Sequence, residues 1–245
     1  MINNAAIYEQ LRREAIEQAR DSLMGYTLYT NPTYETGWFN ELLCAELDQF
    51  LLDVADGKSP RLMIFAPPRS GKSELASRRL PAYTLGKYPN WNIIAASYAS
   101  PLAYKMSRDT QRIVKSEQHV DVFPDVQMGT LKSDARTSVD EWETIKADGS
   151  LAGGTYRAAG VGGGITGQGM NIGIIDDPAK DYKEASSPAY QETVIDWYET
   201  TFYTRRDPKV NGIIIILTRW HKNDLAGQLL ERAREGGEEF RVVSF

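Results

Sequence analysis

The sequence predicts an α/β domain in which helices flank a mostly parallel central sheet. Two observations carry this prediction. Short apolar segments alternate with stretches of helical spacing along residues 58–245, as in strands that crossover helices connect. The apolar segments lack polar alternation, which is expected when both faces of a sheet are covered. The predicted strands are residues 62–66, 91–96, 172–175, 213–217 and 240–244.

Helices are predicted where apolar residues recur at helical spacing. Four follow strands, at about residues 72–86, 101–117, 187–202 and 223–235. Two more, residues 4–23 and 39–54, precede the first strand and are separated by a turn-rich stretch at 31–37. We therefore divide the chain into an N-terminal helical subregion, residues 1–57, and a core, residues 58–245.

One segment interrupts the alternation of strands and helices. Residues 143–147 and 154–159 flank the turn-like segment 148–153, a pattern that predicts a β-hairpin. A glycine-rich run, residues 160–169, follows the hairpin and leads into strand 172–175.

The composition is that of a soluble globular protein. With 245 residues, 42% hydrophobic and 25% charged, the chain can bury one sizeable core. The single cysteine, Cys44, cannot form an internal disulfide, and with only two histidines the chain is poorly suited to zinc binding. No apolar stretch approaches the ~20 residues of a membrane span, and the charged N-terminus lacks a signal-peptide core, so we expect a cytoplasmic protein.

The net charge of −5 argues against a broad nucleic-acid surface, so any DNA contact should be local or shared among subunits.

The strongest motif is APPRSGKS at residues 66–73, which lies between a predicted strand and a predicted helix. It matches the P-loop pattern G-x-x-x-x-G-K-[ST] except that Ala66 replaces the first glycine. Such a loop cradles phosphates with backbone N–H groups, while its lysine reaches the β- and γ-phosphates and its serine ligates Mg²⁺. Arg69 is either a second cation on the γ-phosphate, acting in cis, or a solvated surface charge. The predicted ATP-binding residues are Pro68, Arg69, Ser70, Gly71, Lys72 and Ser73, with Ser73 also a metal ligand.

A second motif, IGIIDD at residues 172–177, is an apolar strand that ends in two acids. This is the Walker B form, in which Asp176 holds Mg²⁺ through water and Asp177 orients or deprotonates the attacking water. Asp181 is a less favoured substitute for that base. The alternative is an ordinary Asp-Asp-Pro turn after a strand.

The strand at 213–217 ends in Thr218, which we expect to sense the γ-phosphate. Its alternative role is to cap the next helix, although Asn223 is better placed as the cap. Arg219 either pairs with a Walker B acid or the phosphates, or lies in solvent, and His221 is expected to be structural. Strand 91–96 intervenes between the two motifs in the chain, which favours a RecA-like (ASCE) P-loop NTPase.

These motifs together resemble the ATPase domain of large terminase subunits of tailed bacteriophages and prophages. The resemblance spans about residues 31–245. The segments that carry it are residues 66–73 (APPRSGKS), 96–98 (ASY), 163–169 (GGITGQG), 174–178 (IIDDP), 196–198 (DWY), 218–221 (TRWH) and 224–227 (DLAG).

The resemblance implies a motor that uses ATP and Mg²⁺ to pump double-stranded DNA into a procapsid. Such subunits form a ring, usually a pentamer, on the portal protein, and a small terminase subunit helps to select the genome. An isolated domain is then expected to be mostly monomeric, in the cytoplasm of a bacterial host. The RNase H-like nuclease domain of the family is not expected within this chain, so DNA cutting is not predicted.

Two residues depart from the family pattern. Asp177 stands where a glutamate is usual, and Gln168 stands where relatives often carry an arginine that acts in trans. Arg157 on the predicted hairpin is then a candidate for the trans arginine, as are Arg205 and Arg206. The alternative for Arg157 is an exposed strand arginine.

Adenine recognition and DNA contact stay open at this stage. In the family, the segment 31–40 approaches the base, and an aromatic residue there either stacks on adenine or anchors the N-terminal helices to the core. The aromatic residues of this segment are Tyr34, Trp38 and Phe39. The basic residues Lys105, Arg108 and Arg112 either face a DNA pore or form an exposed helix face.

Two other functions are compatible with the P-loop. A RecA-like helicase or DNA-repair translocase would normally bring a second RecA-like domain and unwinding motifs. A nucleotide-gated structural adaptor would carry an inert Walker B, and the acids Asp176 and Asp177 argue against it.

Overall fold

The computed structural model describes residues 4–165, 167 and 169–245. Its N-terminal part consists of helices α1 (Asn4–Asp21), α2 (Leu23–Thr30) and α3 (Trp38–Ala55). The predicted single helix over residues 4–23 is wrong, because a new helix starts after Ser22. Ser22 accepts a hydrogen bond from the N–H of Gly25, and Asp48 on α3 accepts one from the N–H of Leu23. Helix α2 is apolar on every side, so no helical periodicity marks it in the sequence.

Eight strands form one sheet within the described residues. They are β1 (Arg61–Phe65), β2 (Asn92–Ser97), β3 (Val126–Met128), β4 (Glu141–Lys146), β5 (Leu151–Gly160), β6 (Ile172–Asp176), β7 (Gly212–Leu217) and β8 (Arg241–Ser244). Their order is β3-β4-β5-β2-β6-β7-β1-β8, and every pairing from β5 to β8 is parallel. The predicted mostly parallel sheet is confirmed, and all five predicted strands are present with ends shifted by one residue at most.

The predicted hairpin is also confirmed, because β4 pairs with β5 in antiparallel register. Strand β3 was not predicted. It contributes only three residues at the sheet edge, too few for an alternation pattern to identify.

Helices connect the strands, and two of these connections contain a π-helical turn. They are α4 (Lys72–Glu74), α5 (Leu80–Lys87), α6 (Ser100–Val114), α7 (Glu117–Val122), α8 (Tyr182–Ala185), α9 (Pro188–Trp197) and α10 (Leu225–Arg234). A π-helical turn, Leu75–Arg79, joins α4 to α5, so the helix after the P-loop is continuous but locally widened. A second π turn, Tyr198–Phe202, extends α9. The predicted helix at 101–117 corresponds to α6, which ends at Val114. Helix α7 was not predicted, and it begins where Ser116 accepts a capping hydrogen bond from the N–H of His119.

Two hydrophobic clusters cover the two faces of the sheet. Strand β7 shows the arrangement directly, since Ile214 and Ile216 belong to one cluster while Ile213 and Ile215 belong to the other. All six residues of β7 are buried, which explains why its sequence is apolar without alternation. Gly212, the first residue of this strand, packs closely against α3. A Cβ at this position would lie 2.5 Å from a ring carbon of Phe50.

The sheet order places one strand between the P-loop strand β1 and the Walker B strand β6. That strand is β7, whereas β2 pairs with the opposite edge of β6. The RecA-like prediction is confirmed, and the carboxyl ends of β1, β7 and β6 lie side by side. Among the residues that the structure describes, no helix has both the length and the apolar character that crossing a membrane requires.

Candidate nucleotide-binding site

The P-loop connects β1 to α4 through two residues in left-handed backbone conformation. Gly71 has φ of 88° and Arg69 has φ of 63°. Glycine adopts this conformation freely, whereas a residue with a Cβ is strained there, at a cost of order 1–3 kcal/mol. The arginine side chain is exposed at the tip of the loop. The strained backbone of Arg69 lies in a loop whose sequence predicts phosphate binding, so a role in binding would explain why this conformation is retained.

Lys72 connects the ends of the three adjacent strands. Its Nζ donates to the Oγ1 of Thr218 at 2.8 Å and lies 3.5 Å from the Oδ1 of Asp177. It also donates to the backbone oxygen of Ala66 at 3.3 Å. The residue is only 4% exposed, so its charge is held in place by these partners rather than by bulk water.

Asp176 is held by two hydroxyl groups. Ser73 donates to its Oδ1 at 3.1 Å, and Ser77 donates to its Oδ2 at 2.6 Å. The residue is 1% exposed, and this burial, together with the nearby charge of Asp177, raises its pKa to about 6. The two hydroxyl donors oppose that rise because they stabilise the ionised form.

Ser77 is the site residue that the sequence analysis missed. It lies in the π turn after the P-loop and is fully buried. The signal that was available is its spacing, since residues four apart on a helix share a face and Ser73 is four residues earlier.

Asp177 has its backbone in the left-handed region, with φ of 46°. Its Oδ1 accepts a hydrogen bond from the backbone N–H of Thr218 at 3.1 Å, and its backbone oxygen accepts one from Tyr98 at 3.2 Å. The side chain remains 34% exposed, so a water molecule can reach it. The substitute base considered above, Asp181, instead caps α8 through the N–H of Glu184.

After strand β7, Arg219 lies at the surface, which is one of its two predicted alternatives. Arg219 pairs with Asp224 at 2.8 Å rather than with a Walker B acid. The predicted cap, Asn223, is wrong, because Asp224 accepts the capping hydrogen bond from Gly227. His221 contacts Gln191 at 3.1 Å.

The candidate trans arginines lie away from this cluster. Arg157 is on β5, which β2 separates from β6, and its guanidinium is 3.8 Å from Glu141. Its side chain is 22% exposed, so it is a half-buried strand arginine. Arg205 and Arg206 precede β7, so they lie at the amino ends of the strands, whereas the P-loop lies at the carboxyl ends. The guanidinium of Arg206 stacks 3.3 Å from the ring centre of Tyr203. Gln168 and Thr166, from the glycine-rich run, lie outside the described residues.

The segment at residues 31–40 divides into two environments. Tyr34 and Asn40 form a hydrogen bond of 3.0 Å beside the P-loop, and a Cβ on Gly71 would lie 3.5 Å from the Nδ2 of Asn40. Phe39 instead packs on Phe245 at the end of the chain, with ring centres 4.4 Å apart. The N-terminal helices therefore provide both a wall beside the phosphate loop and an anchor to the core.

The donors at the site suit magnesium. Ser73 and Asp176 present two hard oxygen ligands next to a loop of backbone N–H groups, and Mg²⁺ takes the rest of its octahedral shell from water and phosphate. Within the described part of the chain, no group of three or more His, Cys, Asp and Glu side chains is arranged to hold a metal ion.

A match to a family model shows which known proteins this chain is related to. The model is that of the terminase large subunit, T4likevirus-type, N-terminal, and it matches residues 63–241. The chain belongs to this family. The predicted resemblance is thereby confirmed, and the match includes both nucleotide motifs. It begins inside β1, so the helical residues 1–57 lie outside it.

A solved structure of a large terminase, with a TM-score above 0.5, shows the same fold. The large terminase of bacteriophage HK97 superposes with a TM-score of 0.52 at 15% identity, over 86% of this chain and 39% of that one. A variant of the large terminase ATPase domain of Thermus phage P74-26 gives 0.42 at 16% identity, over 69% of this chain and 63% of that one. This terminase chain thus spans about two fifths of the length of the HK97 protein. A search of the curated proteins gave no match.

Proposed function

We propose that this chain is an ATPase that hydrolyses ATP at the carboxyl ends of β1, β7 and β6. The observation that supports it is the convergence of a lysine, two acids and two hydroxyl groups from three separate segments of the chain. Those residues are Lys72, Ser73, Asp176, Asp177 and Thr218. Such a constellation stabilises the charge of a transferring phosphoryl group.

Each residue has a role that follows from its position. Backbone N–H groups of residues 69–73 bind the phosphates, and Lys72 neutralises the β- and γ-oxygens. Ser73 and Asp176 would hold Mg²⁺, which would neutralise negative charge on the phosphates. Asp177 is exposed enough to orient the attacking water and acts as its base. The remaining loop residues, Pro68, Arg69 and Ser70, complete the phosphate site, with Arg69 as a cation in cis.

The contacts of Thr218 support a role in sensing the nucleotide. Its hydroxyl accepts from Lys72 and its N–H donates to Asp177, so it contacts both a phosphate-binding residue and the proposed base. A change at the γ-phosphate that moves either partner alters the end of β7. We propose Thr218 as the sensor on this basis.

Membership of the large terminase family supports the further proposal that hydrolysis drives duplex DNA into a procapsid. In this proposal the chain acts within a ring on the portal protein, in a bacterial host, together with a small terminase subunit. Residues 58–245 form the ATPase core, and residues 1–57 form the adenine-side wall through Tyr34 and Asn40. A single subunit is expected to hydrolyse slowly, because an arginine from a neighbour is worth on the order of 10³-fold or more.

The test is ATP hydrolysis by the wild type and Lys72→Ala, with and without duplex DNA. Lys72→Ala removes a buried phosphate-binding cation, so the rate should fall by roughly 100-fold or more. A wild-type rate no higher than that of Lys72→Ala would contradict the ATPase proposal. Separation of the two DNA strands during hydrolysis would instead favour a helicase.

The ring proposal has its own test in the dependence of specific activity on protein concentration. Arg157→Ala should abolish a rise with concentration if Arg157 completes the neighbouring site. Arg136→Ala is the matched control, because Arg136 also pairs with Glu141. Equal effects of both variants would assign Arg157 a structural role beside Glu141.

A further inference from the structure

The exposed face of helix α6 carries a row of cations. These residues are Lys105, Arg108, Arg112 and Lys115, and all four are exposed. At 3.6 residues per turn they fall within an arc of about 80°, so they project from one side of the helix. The row extends over about 15 Å along the helix axis. We call these four residues the α6 basic row.

Helix α6 itself carries few acids beside the α6 basic row. Lys105, Arg108 and Lys115 form no ion pair with any residue that the structure describes, and Arg112 pairs with Asp109 at 2.9 Å. Asp109 is the one acid of this helix, and it also binds Arg78. The chain as a whole has a net charge of −5. A local excess of positive charge on an acidic protein marks a place where an anionic partner would be attracted.

The position of α6 ties this row to the nucleotide site. The helix begins directly after β2, where Tyr98 donates to the backbone oxygen of Asp177 at 3.2 Å. At its middle, Asp109 pairs at 3.0 Å with Arg78, which lies in the π turn that also contains Ser77. Helix α6 is therefore attached both to the segment of the proposed base and to the helix that follows the P-loop.

We propose that the α6 basic row binds the phosphate backbone of duplex DNA. This inference rests on the proposed function, for which it names the surface that contacts the translocated DNA. A length of about 15 Å corresponds to roughly four base pairs at 3.4 Å per step, so the four cations match a short stretch of phosphates. Lysine and arginine on a rigid helix face contact phosphates without reading bases, which suits a protein that moves along any sequence. Because α6 is attached at both points, a movement of residues at the nucleotide site would displace the α6 basic row.

The experiment measures duplex DNA binding by fluorescence anisotropy at several salt concentrations, starting at about 25 mM. The test variant replaces Lys105, Arg108, Arg112 and Lys115 with glutamine. The matched control makes the same change in net charge at four exposed and scattered basic residues, namely Arg13, Lys146, Lys183 and Lys209. Hydrolysis of ATP without DNA is measured for every protein, because neither set of residues belongs to the nucleotide site.

The α6 variant should bind duplex DNA roughly tenfold or more weakly than the control variant at low salt. The slope of log affinity against log salt should fall in magnitude by about 0.9 for each lost phosphate contact, or about 3.6 for four. Both variants should hydrolyse ATP without DNA at the wild-type rate.

Equal losses of DNA binding in the two variants would overturn the inference, since net charge alone would then explain them. Absence of wild-type binding at the lowest salt would overturn it as well. If the wild type hydrolyses ATP far faster than Lys72→Ala while the α6 variant binds DNA normally, the ATPase proposal stands and only this inference fails.

Discussion

Replacing Ser77 with alanine isolates one hydrogen bond behind the proposed metal ligand. Ser77 donates to the Oδ2 of Asp176 at 2.6 Å, while Ser73 donates to the other oxygen. Both Ser77 and Asp176 are buried, so water cannot replace the lost donor. A hydrogen bond to a charged group contributes about 1.5–3 kcal/mol. That range corresponds to roughly 10- to 150-fold in an equilibrium constant.

The loss should appear in the response to magnesium rather than in nucleotide binding itself. Without Ser77, the Asp176 carboxylate is both less stable in its ionised form and less fixed in orientation. We expect the Mg²⁺ concentration that half-saturates ATP hydrolysis to rise roughly tenfold or more. The rate at saturating Mg²⁺ should fall less. Binding of ATP in the presence of a chelator should be unchanged, since the P-loop backbone is untouched.

Ser107→Ala is the matched control for this substitution. Ser107 is also fully buried, and its hydroxyl accepts a hydrogen bond of 3.1 Å from the indole of Trp142, away from the nucleotide site. Both variants should lose thermal stability, but only Ser77→Ala should shift the Mg²⁺ titration. If the titration of Ser77→Ala superimposes on that of the wild type, or if both variants shift it equally, Ser77 does not position Asp176.

Two further predictions concern stability. Burial lowers the pKa of His119 to about 4, below its usual 6.5, so the unfolded chain takes up this proton first. The contribution of His119 to the free energy of unfolding should therefore fall by about 2 kcal/mol between pH 7 and pH 5. Burial raises the pKa of Asp48 and of Asp176 to about 6, and both groups act in the opposite direction. Urea unfolding of the wild type is therefore compared with that of His119→Asn, and equal pH slopes would refute the assignment. Gly212→Ala places a Cβ 2.5 Å from side chains of α3, so overpacking should cost about 1–3 kcal/mol and lower the Tm by several degrees. Gly164→Ala is its control, since nothing lies within 4 Å of a Cβ there, and an equal Tm for the two variants would contradict the packing argument.

The sequence alone determined the nucleotide motifs and the class of fold. The phosphate loop at residues 66–73 and the acid pair at 176–177 are recognisable because their chemistry needs particular residues at fixed spacing along the chain. The strands were predictable because burial on both faces requires continuous apolar runs, as in β7. In each case the information lies within a few neighbouring residues.

The tertiary structure decided which distant residues meet. That β7 lies between β1 and β6 is a property of sheet order, and this order brings Thr218 against both Lys72 and Asp177. The same long-range packing places Ser77 against Asp176, which is 99 residues away.

Some local interpretations failed because a partner elsewhere in the fold, or a better-placed neighbour, took the interaction. Arg219 has Asp224 within reach and so does not pair with the Walker B acids. The break between α1 and α2 depends on Asp48 of α3, which binds the first free N–H of the second helix. Spacing along a chain specifies which residues can share a face, whereas the choice among competing hydrogen-bond and ion-pair partners is settled only when the faces pack together.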